Sequence, residues 1–423
     1  MSAADAPPAA LGDLRVVELA GEFTGLAGRH FADLGADVVV VEPPGGAAIR
    51  HLPPFVDDDP HPDRSLRWWS EAAGKRSVVL DLDLAADRSR LEVLLGTADV
   101  VLESDLGARL AAVDLVPDTV LARHPTLVWV SITPFTRDGP RDGEPACDLT
   151  ILAGGGPMWS CGYDDHRLPP VRGQGYQSHQ MGAVYAAIGA LAAIAARRRT
   201  GRGQRVAVNL NAVANTTTEI ATYNWLSVQS VVQRQTGRHA APVVTEPLQV
   251  RTADDGYVTT GVPPRTPAQF AALAAWIAEL GLADELPEVV FLQQASDPDR
   301  ALGAPEGNAT VDAMAVYSAS RDAMNLIASR LPALEFFVGA QRRDLPVGAV
   351  LAPEEAFENE HSVARGMQVP VDHPELGRTV RYPGPPLRLM RTPWRIVRRP
   401  PTVGEHTADV LAELGADPGP LAG

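Results

Sequence analysis

A glycine loop follows the first apolar run of the chain, and it is the first place where the backbone could meet a phosphate. Gly21, Gly25 and Gly28 come soon after the run Arg15–Leu19, and Glu42 ends the next apolar run. In nucleotide-binding units such glycines approach a pyrophosphate, and such an acidic residue binds a ribose hydroxyl. The spacing here is not G-x-G-x-x-G, so a tight turn between a strand and a helix is the simpler interpretation.

Thiol and metal chemistry have little support in the composition. The chain has two cysteines, Cys147 and Cys161, which are too few for a disulfide framework. No CxxC or Cys/His spacing typical of a zinc site occurs. The sequence therefore predicts neither disulfides nor a bound metal.

The overall charge argues against nucleic acid as the main partner. The 423 residues include 37 Lys and Arg against 52 Asp and Glu, a formal net charge of −15. Binding to a nucleic-acid backbone needs a basic surface, whereas a small anionic ligand needs only a local basic pocket. Hydrophobic residues make up 45% of the chain and charged residues 21%, as in ordinary globular proteins.

Neither a membrane segment nor an export signal is expected. The N-terminal sequence MSAADAPPAALGDL lacks the basic region and apolar stretch of a signal peptide. The longest nearly apolar run, at 182–196, is shorter than the ~20 residues that a spanning helix needs. It ends in three arginines. We therefore expect a buried helix at this position and a cytoplasmic protein.

Apolar runs alternate with helical patterns over the first part of the chain. Four valines stand in a row at 38–41, which is typical of a strand covered on both faces of a parallel sheet. Similar runs occur at 77–80, 99–102 and 127–130. This alternation predicts a doubly wound, Rossmann-like α/β domain.

The pattern changes twice after this domain. Residues 211–345 combine strand signals with longer helical patterns, which predicts a smaller α+β domain. Residues 346–423 return to short strands with many prolines and a final helix. The predicted segments are therefore 1–210, 211–345 and 346–423.

Ordered blocks of the sequence resemble the family III CoA-transferases over nearly the whole chain. The opening block reads LGDLRVVELAGEFTGLAGRHFADLGADVVVVEPPGG. Later matching blocks are GKRSVVLDL at 74–82, ADVVLES at 98–104, TGRGQRVAV at 200–208, LPVGAVLAPEEAF at 345–357, ARGMQVPVDHPELGRTVRYPGPPLRL at 364–389 and VGEHTADVLAELG at 403–415. The resemblance implies a protein that handles an acyl-CoA and a carboxylic acid, with coenzyme A as the shared substrate moiety.

The resemblance also implies an architecture. It places 1–210 and 346–423 together in one large Rossmann-like domain and assigns 211–345 to a small domain with its connectors. Two such chains are expected to interlock as linked rings. The dimer is either a homodimer or a heterodimer with a related subunit.

The residue that carries the chemistry in this family is replaced here. By the resemblance, an aspartate attacks the acyl-CoA thioester and then carries CoA as an enzyme–CoA thioester. This aspartate lies ten residues before a glycine that corresponds to Gly189, and His179 occupies its position. No Asp or Glu occurs anywhere from 166 to 218. Because a histidine cannot hold CoA as a thioester, the usual exchange through this position is not expected.

Histidine can instead move protons near neutral pH. In the racemase branch of the family, the resemblance pairs this position with a histidine that corresponds to Cys147, next to Asp148. His179 with Cys147, or His179 with Asp148, is therefore a candidate pair for proton transfer at the α-carbon of an acyl-CoA.

Candidate CoA-binding residues follow from the same blocks. Arg50 and Lys75 stand where the family places basic residues near the CoA phosphates. Gly25, Arg76 and Glu103 complete the set that the resemblance implies.

Three functions remain open on the sequence. The chain is a CoA-transferase with another nucleophile or mechanism, a racemase or isomerase that uses His179, or a non-catalytic subunit. In the third case it pairs with a relative that retains the aspartate.

Overall fold

The structure is a computed structural model that describes residues 7–104, 108–137, 139–261, 263–298 and 311–415. It divides into two units. The first comprises Met1–Trp159, Pro170–Ser227 and Glu360–Gly423, and the second comprises Ser160–Pro169 and Val228–Asn359. The main segment of the second unit runs from Val228 to Asn359, where the sequence suggested 211–345, and the short segment Ser160–Pro169 joins it.

Six parallel strands form the central sheet of the first unit. They are β1 Arg15–Leu19, β2 Asp37–Glu42, β3 Arg76–Val79, β4 Val100–Glu103, β5 Val128–Thr133 and β6 Arg205–Asn209. Their order is β3-β2-β1-β4-β5-β6, and every neighbouring pair is parallel. The predicted doubly wound α/β fold is confirmed. In this arrangement ligands bind at the carboxyl ends of the strands, where the strand order reverses between β1 and β4.

Helices cover both faces of this sheet. The helices of the first unit are α1 Gly25–Asp33, α2 Leu66–Ala72, α3 Ala85–Leu95, α4 Ala108–Ala112, α5 Pro117–Arg123, α6 Asp148–Gly155, α7 Gln177–Thr200, α8 Leu210–Asn215 and α9 Glu219–Val228. Val38 of β2 belongs to the core that includes Phe31 of α1, whereas Val39 belongs to the core that includes Leu91 of α3. Because side chains alternate along a strand, the run of valines supplies both cores.

The second unit is built around a small antiparallel sheet. Its strands β7 Gln249–Arg251, β8 Tyr257–Thr259 and β9 Gly348–Val350 pair in sequence order. Its helices are α10 Pro267–Glu279, α11 Val289–Ala295, α12 Val311–Arg330, α13 Ala333–Gln341 and α14 Pro353–Glu358. A core that includes Leu273, Ile327 and Phe336 holds these elements together.

The last part of the chain belongs to the first unit. It forms helix α15 Glu360–Arg365, the hairpin of β10 Gln368–His373 and β11 Arg378–Pro383, and helix α16 Thr407–Glu413. Val410 of α16 packs in the same core as Leu91. The carboxyl-terminal segment therefore completes one face of the central sheet.

Helix α7 is the one described helix that is long and apolar enough to cross a membrane by length and composition. Its residues Ala183, Ala186 and Ala190 are fully buried in the core beneath the sheet. It packs against α1, α8, β5 and β6. A core helix of this kind passes the same test of length and composition, so the helix is no evidence for a membrane span.

Candidate active site

A cavity of about 300 Å³ opens at the carboxyl ends of the strands of the central sheet. Its wall includes Glu22 and Phe23 from the loop after β1, Glu42 at the end of β2, and Glu103 at the end of β4. This is the switch point between β1 and β4, the ordinary ligand site of a doubly wound sheet.

A second cavity, of about 290 Å³, borders the same loop. It shares Ala20, Gly21 and Glu22 with the first cavity, and it adds Arg67 of α2. The Glu22 side chain therefore borders both cavities, next to a cation.

His179 lies in the first turn of α7 and is buried, with 3% of its side chain exposed. Its ring contacts Phe23 at 4.7 Å and the edge of Tyr176 at 5.2 Å between ring centroids. Its Nε2 atom has no hydrogen-bond partner among the described residues. A buried nitrogen without a partner is costly and marks a place where a ligand or a moving side chain can supply one.

Burial lowers the pKa of His179 to about 4. The cation of Arg67 acts in the same direction, and the carboxylate of Asp148 opposes it. His179 is consequently neutral at physiological pH, so one ring nitrogen is a donor and the other an acceptor.

Asp148 holds the helix that carries His179. It begins α6, and its Oδ1 accepts hydrogen bonds of 2.8 Å from both the backbone N–H and the hydroxyl of Ser178. Its Oδ2 accepts a bond of 3.1 Å from Arg172. Tyr176, at the start of α7, makes no side-chain cap, so Asp148 supplies that cap from another helix.

Asp148 and His179 do not share a proton in this structure. Asp148 Oδ1 lies 4.0 Å from His179 Nδ1, which is beyond hydrogen-bond length. The hydroxyl of Ser178 lies within hydrogen-bond reach of Nδ1, at 3.4 Å. Asp148 is therefore a positioning residue, and the proton-transfer pair of His179 with Asp148 stays a prediction.

Cys147 is an exposed free thiol at the amino-terminal end of α6. Hydrogen bonding from the Thr150 backbone lowers the pKa of the thiol, whereas the charge of Glu22 raises it. Cys147 is thus within the electrostatic reach of Glu22, at the rim of the site.

Glu22 is the site residue that the sequence comparison missed. Its Oε1 lies 3.8 Å from His179 Nε2, and 55% of its side chain is exposed. The segment 166–218 around His179 contains no acidic residue, and Glu22 is distant from His179 in the sequence. A usable signal was its place in the loop that follows β1, which a doubly wound sheet directs to the ligand site.

Lys75 and Gly25 belong to a buried network beneath the glycine loop. Lys75 Nζ donates to Glu18 Oε2 at 2.6 Å and to the Gly25 carbonyl at 2.7 Å. A Cβ atom at Gly25 would lie 2.0 Å from Glu71 Oε2, and one at Gly28 would lie 1.9 Å from Glu18 Oε2. These glycines let the loop and α1 pack onto buried carboxylates. The phosphate contact expected of Lys75 would require its ion pair to open.

The Arg50 side chain also forms its ion pairs inside the protein. It is fully buried and donates to both oxygens of Glu42, at 2.6 and 2.8 Å, and to Asp63 at 2.8 Å. Its guanidinium stacks on Trp68 and donates to the Pro401 carbonyl. Arg50 thereby fastens the carboxyl-terminal segment to β2, and none of these contacts leaves its charge facing solvent.

The other two predicted CoA-binding residues lie at opposite ends of the parallel strands. Arg76 begins β3 and pairs with Asp37 at 2.6 Å and Glu413 at 2.7 Å, at the amino ends of the strands and away from the cavity. Glu103 ends β4, lines the first cavity, and accepts bonds of 2.8 Å from Arg137. The structure therefore brings Glu103, and not Arg76, to the candidate site.

No group of three or more metal-ligating side chains that could hold a metal ion occurs among the described residues. The candidate site is built from Glu22, His179, Cys147 and Arg67, whose chemistry is that of acids, bases and nucleophiles.

Comparison with known proteins identifies the family. The model of CoA-transferase family III matches residues 11–407. The chain belongs to CoA-transferase family III. The match covers both units and includes every residue of the candidate site.

Curated relatives cover nearly the full length of this family III chain. It is 31% identical over 415 residues to the succinyl-CoA:mesaconate CoA-transferase of Haloarcula hispanica, which covers 97% of this chain and 98% of the relative. It is 29% identical over 408 residues to the succinyl-CoA:(R)-benzylsuccinate CoA-transferase subunit BbsE of Thauera aromatica, covering 95% and 93%.

Solved structures show the same fold. A CAIB/BAIF family protein from Brucella suis matches with a TM-score of 0.77 and 23% identity, over 97% of this chain and 100% of that protein. At this identity the likeness supports the architecture of this family III protein.

Proposed function

We propose that this family III protein transfers CoA from a dicarboxylic acyl-CoA thioester, such as succinyl-CoA, to a second carboxylic acid. The observation that carries the proposal is the cavity at the carboxyl ends of β1 and β4, in a chain that matches the family over residues 11–407. The names of both curated relatives include succinyl-CoA, which supports the choice of donor. Arg67, which lines the second cavity and pairs with Glu71 at 3.5 Å, supplies positive charge on the side where an anionic substrate would bind.

An isotope-exchange assay tests this function without knowledge of the acceptor. The purified chain is incubated with succinyl-CoA and ¹³C-labelled succinate, and mass spectrometry follows the appearance of labelled succinyl-CoA. Mesaconate, glutarate and benzylsuccinate then serve as acceptors. Time-dependent transfer of CoA supports the proposal. The absence of transfer in a chain that is folded and binds CoA contradicts the proposal.

A second candidate function is that of a subunit within a mixed assembly. Two points favour it: the family resemblance implies that His179 takes the place of the catalytic aspartate, and one relative is named as a subunit. In this case the purified chain is inactive alone and gains activity with a related chain that carries the aspartate. The exchange assay, run with and without the neighbouring gene product, separates the two functions.

We further propose that the functional form is a dimer with the same chain or a related one. Val184 and Ile188 of α7, and Tyr223 and Leu226 of α9, are large apolar side chains that are exposed in this chain. Large apolar side chains left exposed on helices are typical of a protein–protein interface. A second family III chain is the partner that the resemblance implies.

A further inference from the structure

Glu22 lies at the meeting point of the two cavities. Its Oε1 is 3.8 Å from His179 Nε2, and its side chain is half exposed. No described residue donates a hydrogen bond to its carboxylate. The neighbouring His179 nitrogen, although buried, also has no partner. The Glu22 carboxylate therefore lies between the two cavities, which a substrate can reach, and the buried ring of His179.

Other carboxylates near the site are already held. The oxygens of Asp148 accept bonds from Ser178 and Arg172. Glu42 accepts from Arg50, from Ser77 and from a backbone N–H, and Glu103 accepts from Arg137. An attack by Glu42 or Glu103 would break a largely buried ion pair, which is costly. An attack by Asp148 would remove the hydrogen bonds that cap α7. Glu22 can react without such a loss.

The surroundings of Glu22 favour reactivity. Partial burial raises the pKa of Glu22, and Arg67 acts in the opposite direction. A carboxylate of raised pKa is a stronger nucleophile than one in water and still ionises near neutral pH. Arg67 itself is fixed by an ion pair of 3.5 Å with Glu71 and by stacking on Tyr176, with its guanidinium carbon 3.7 Å from the ring centroid. This cation can offset negative charge that develops on an attacked carbonyl oxygen.

We propose that Glu22 is the nucleophilic carboxylate that takes up CoA in this chain, with His179 as its neighbour. The proposal rests on the proposed CoA-transferase function. It moves the acyl-accepting carboxylate from the first turn of α7 to the loop after β1, on the opposite side of the same small space.

The chemical steps balance with these groups. A Glu22 oxygen attacks the thioester carbonyl of the donor, and the C–S bond breaks to give a mixed anhydride and CoA thiolate. The thiolate attacks the Glu22 carbonyl carbon, and the C–O bond to the donor acyl group breaks, which releases the donor acid as its carboxylate. The acceptor carboxylate attacks the same Glu22 carbon and expels the thiolate. The thiolate finally attacks the acceptor carbonyl, which yields the new acyl-CoA and restores Glu22.

Trapping of the intermediate tests the assignment. The chain is treated with succinyl-CoA and then with hydroxylamine or borohydride, which convert an enzyme–CoA thioester to a hydroxamate or an alcohol. Peptide mass spectrometry is expected to find the modification at Glu22. Glu22→Gln should lose at least about 1000-fold in exchange rate, as expected for removal of a nucleophile, and should keep CoA binding. Glu22→Asp should retain measurable exchange.

Controls separate the possible failures. Glu354→Gln alters an exposed residue of α14 in the second unit and should leave exchange unchanged. Circular dichroism and the thermal midpoint show whether each variant is folded. Exchange that persists in Glu22→Gln, or an adduct on another residue, overturns the assignment and leaves the proposed function standing. A wild-type chain that binds CoA and shows neither exchange nor adduct overturns both.

Discussion

Asp148 and Ser178 join two helices through two hydrogen bonds of 2.8 Å, one to the backbone N–H and one to the hydroxyl of Ser178. The bonds fix the start of α7 and hence the His179 ring. A charged acceptor that serves a buried helix terminus contributes more than a neutral bond on the surface. This relationship leads to the first prediction.

Asp148→Ala should lower the free energy of unfolding by roughly 2–4 kcal/mol, because it leaves the buried N–H and hydroxyl of Ser178 without an acceptor. Ser178→Ala is the matched control: it removes only the hydroxyl and should cost about 1 kcal/mol. Urea unfolding measures both. Equal losses in the two variants would contradict the capping role of Asp148.

Lys75→Met should destabilise the chain by about 3–5 kcal/mol, because Glu18 is left as an unpaired buried charge. Replacing both partners, in Lys75→Met/Glu18→Gln, should recover part of this loss. Glu285→Gln, which removes the exposed ion pair with Arg330, should change stability by less than about 1 kcal/mol. A large fall in CoA affinity for Lys75→Met at unchanged stability would instead assign Lys75 to the CoA phosphates.

The stability of the chain should depend on the protonation of His179. The ordinary pKa is 6.5, and burial lowers it to about 4 in the folded state. Between these values the unfolded state binds the proton and the folded state does not. The contribution of neutral His179 to the free energy of unfolding is therefore complete above pH 6.5. It is lost as the pH falls toward 4, and it amounts to roughly 3 kcal/mol at most.

A comparison of variants isolates this contribution. Glu71 acts in the opposite sense, because burial raises its pKa to about 7 and stabilises the fold at lower pH. Urea unfolding from pH 7 to pH 4.5 gives the free energy of unfolding of wild type and of His179→Asn. The difference between the two values cancels the contribution of Glu71, which both chains share. His239→Asn, at an exposed histidine, should follow the wild type. Parallel curves for wild type and His179→Asn would rule out a lowered pKa at His179.

A carboxylate at the position of His179 should restore exchange when Glu22 is absent. His179→Asp in the Glu22→Gln background places an aspartate in the first turn of α7, where the family resemblance implies the nucleophile. We expect a gain of at least about tenfold over Glu22→Gln alone, a change of about 1.4 kcal/mol in the barrier, together with a hydroxylamine-sensitive adduct at residue 179. No gain would show that this chain does not present the thioester to α7.

The native mass should be that of two chains, and it should persist on dilution to nanomolar concentration. An interlocked pair separates only if a chain opens, so dissociation should coincide with loss of secondary structure. Mass photometry and circular dichroism, measured across the same denaturant series, test this prediction. A folded monomer at low concentration would contradict it, and two different masses in equal amount would identify a mixed dimer.

The sequence determined the class of fold and the family. A run of four valines, as at 38–41, is typical of a strand that is covered on both faces. It therefore indicated a parallel sheet with helices on each side. The ordered blocks from residue 11 onward carried the family, since local motifs survive where overall identity is near 30%. That His179 stands in place of the family's aspartate stays a prediction from the sequence.

The tertiary structure decided which charges are available for chemistry. Lys75 and Arg50 read as free cations in the sequence, yet folding places them against Glu18 and Glu42 in buried pairs. Glu22 and His179 lie far apart along the chain and meet only because β1 and α7 bring their ends to the same edge. Ionisation depends on burial and on neighbours that are distant in sequence, and these are properties of the folded chain that no local pattern encodes.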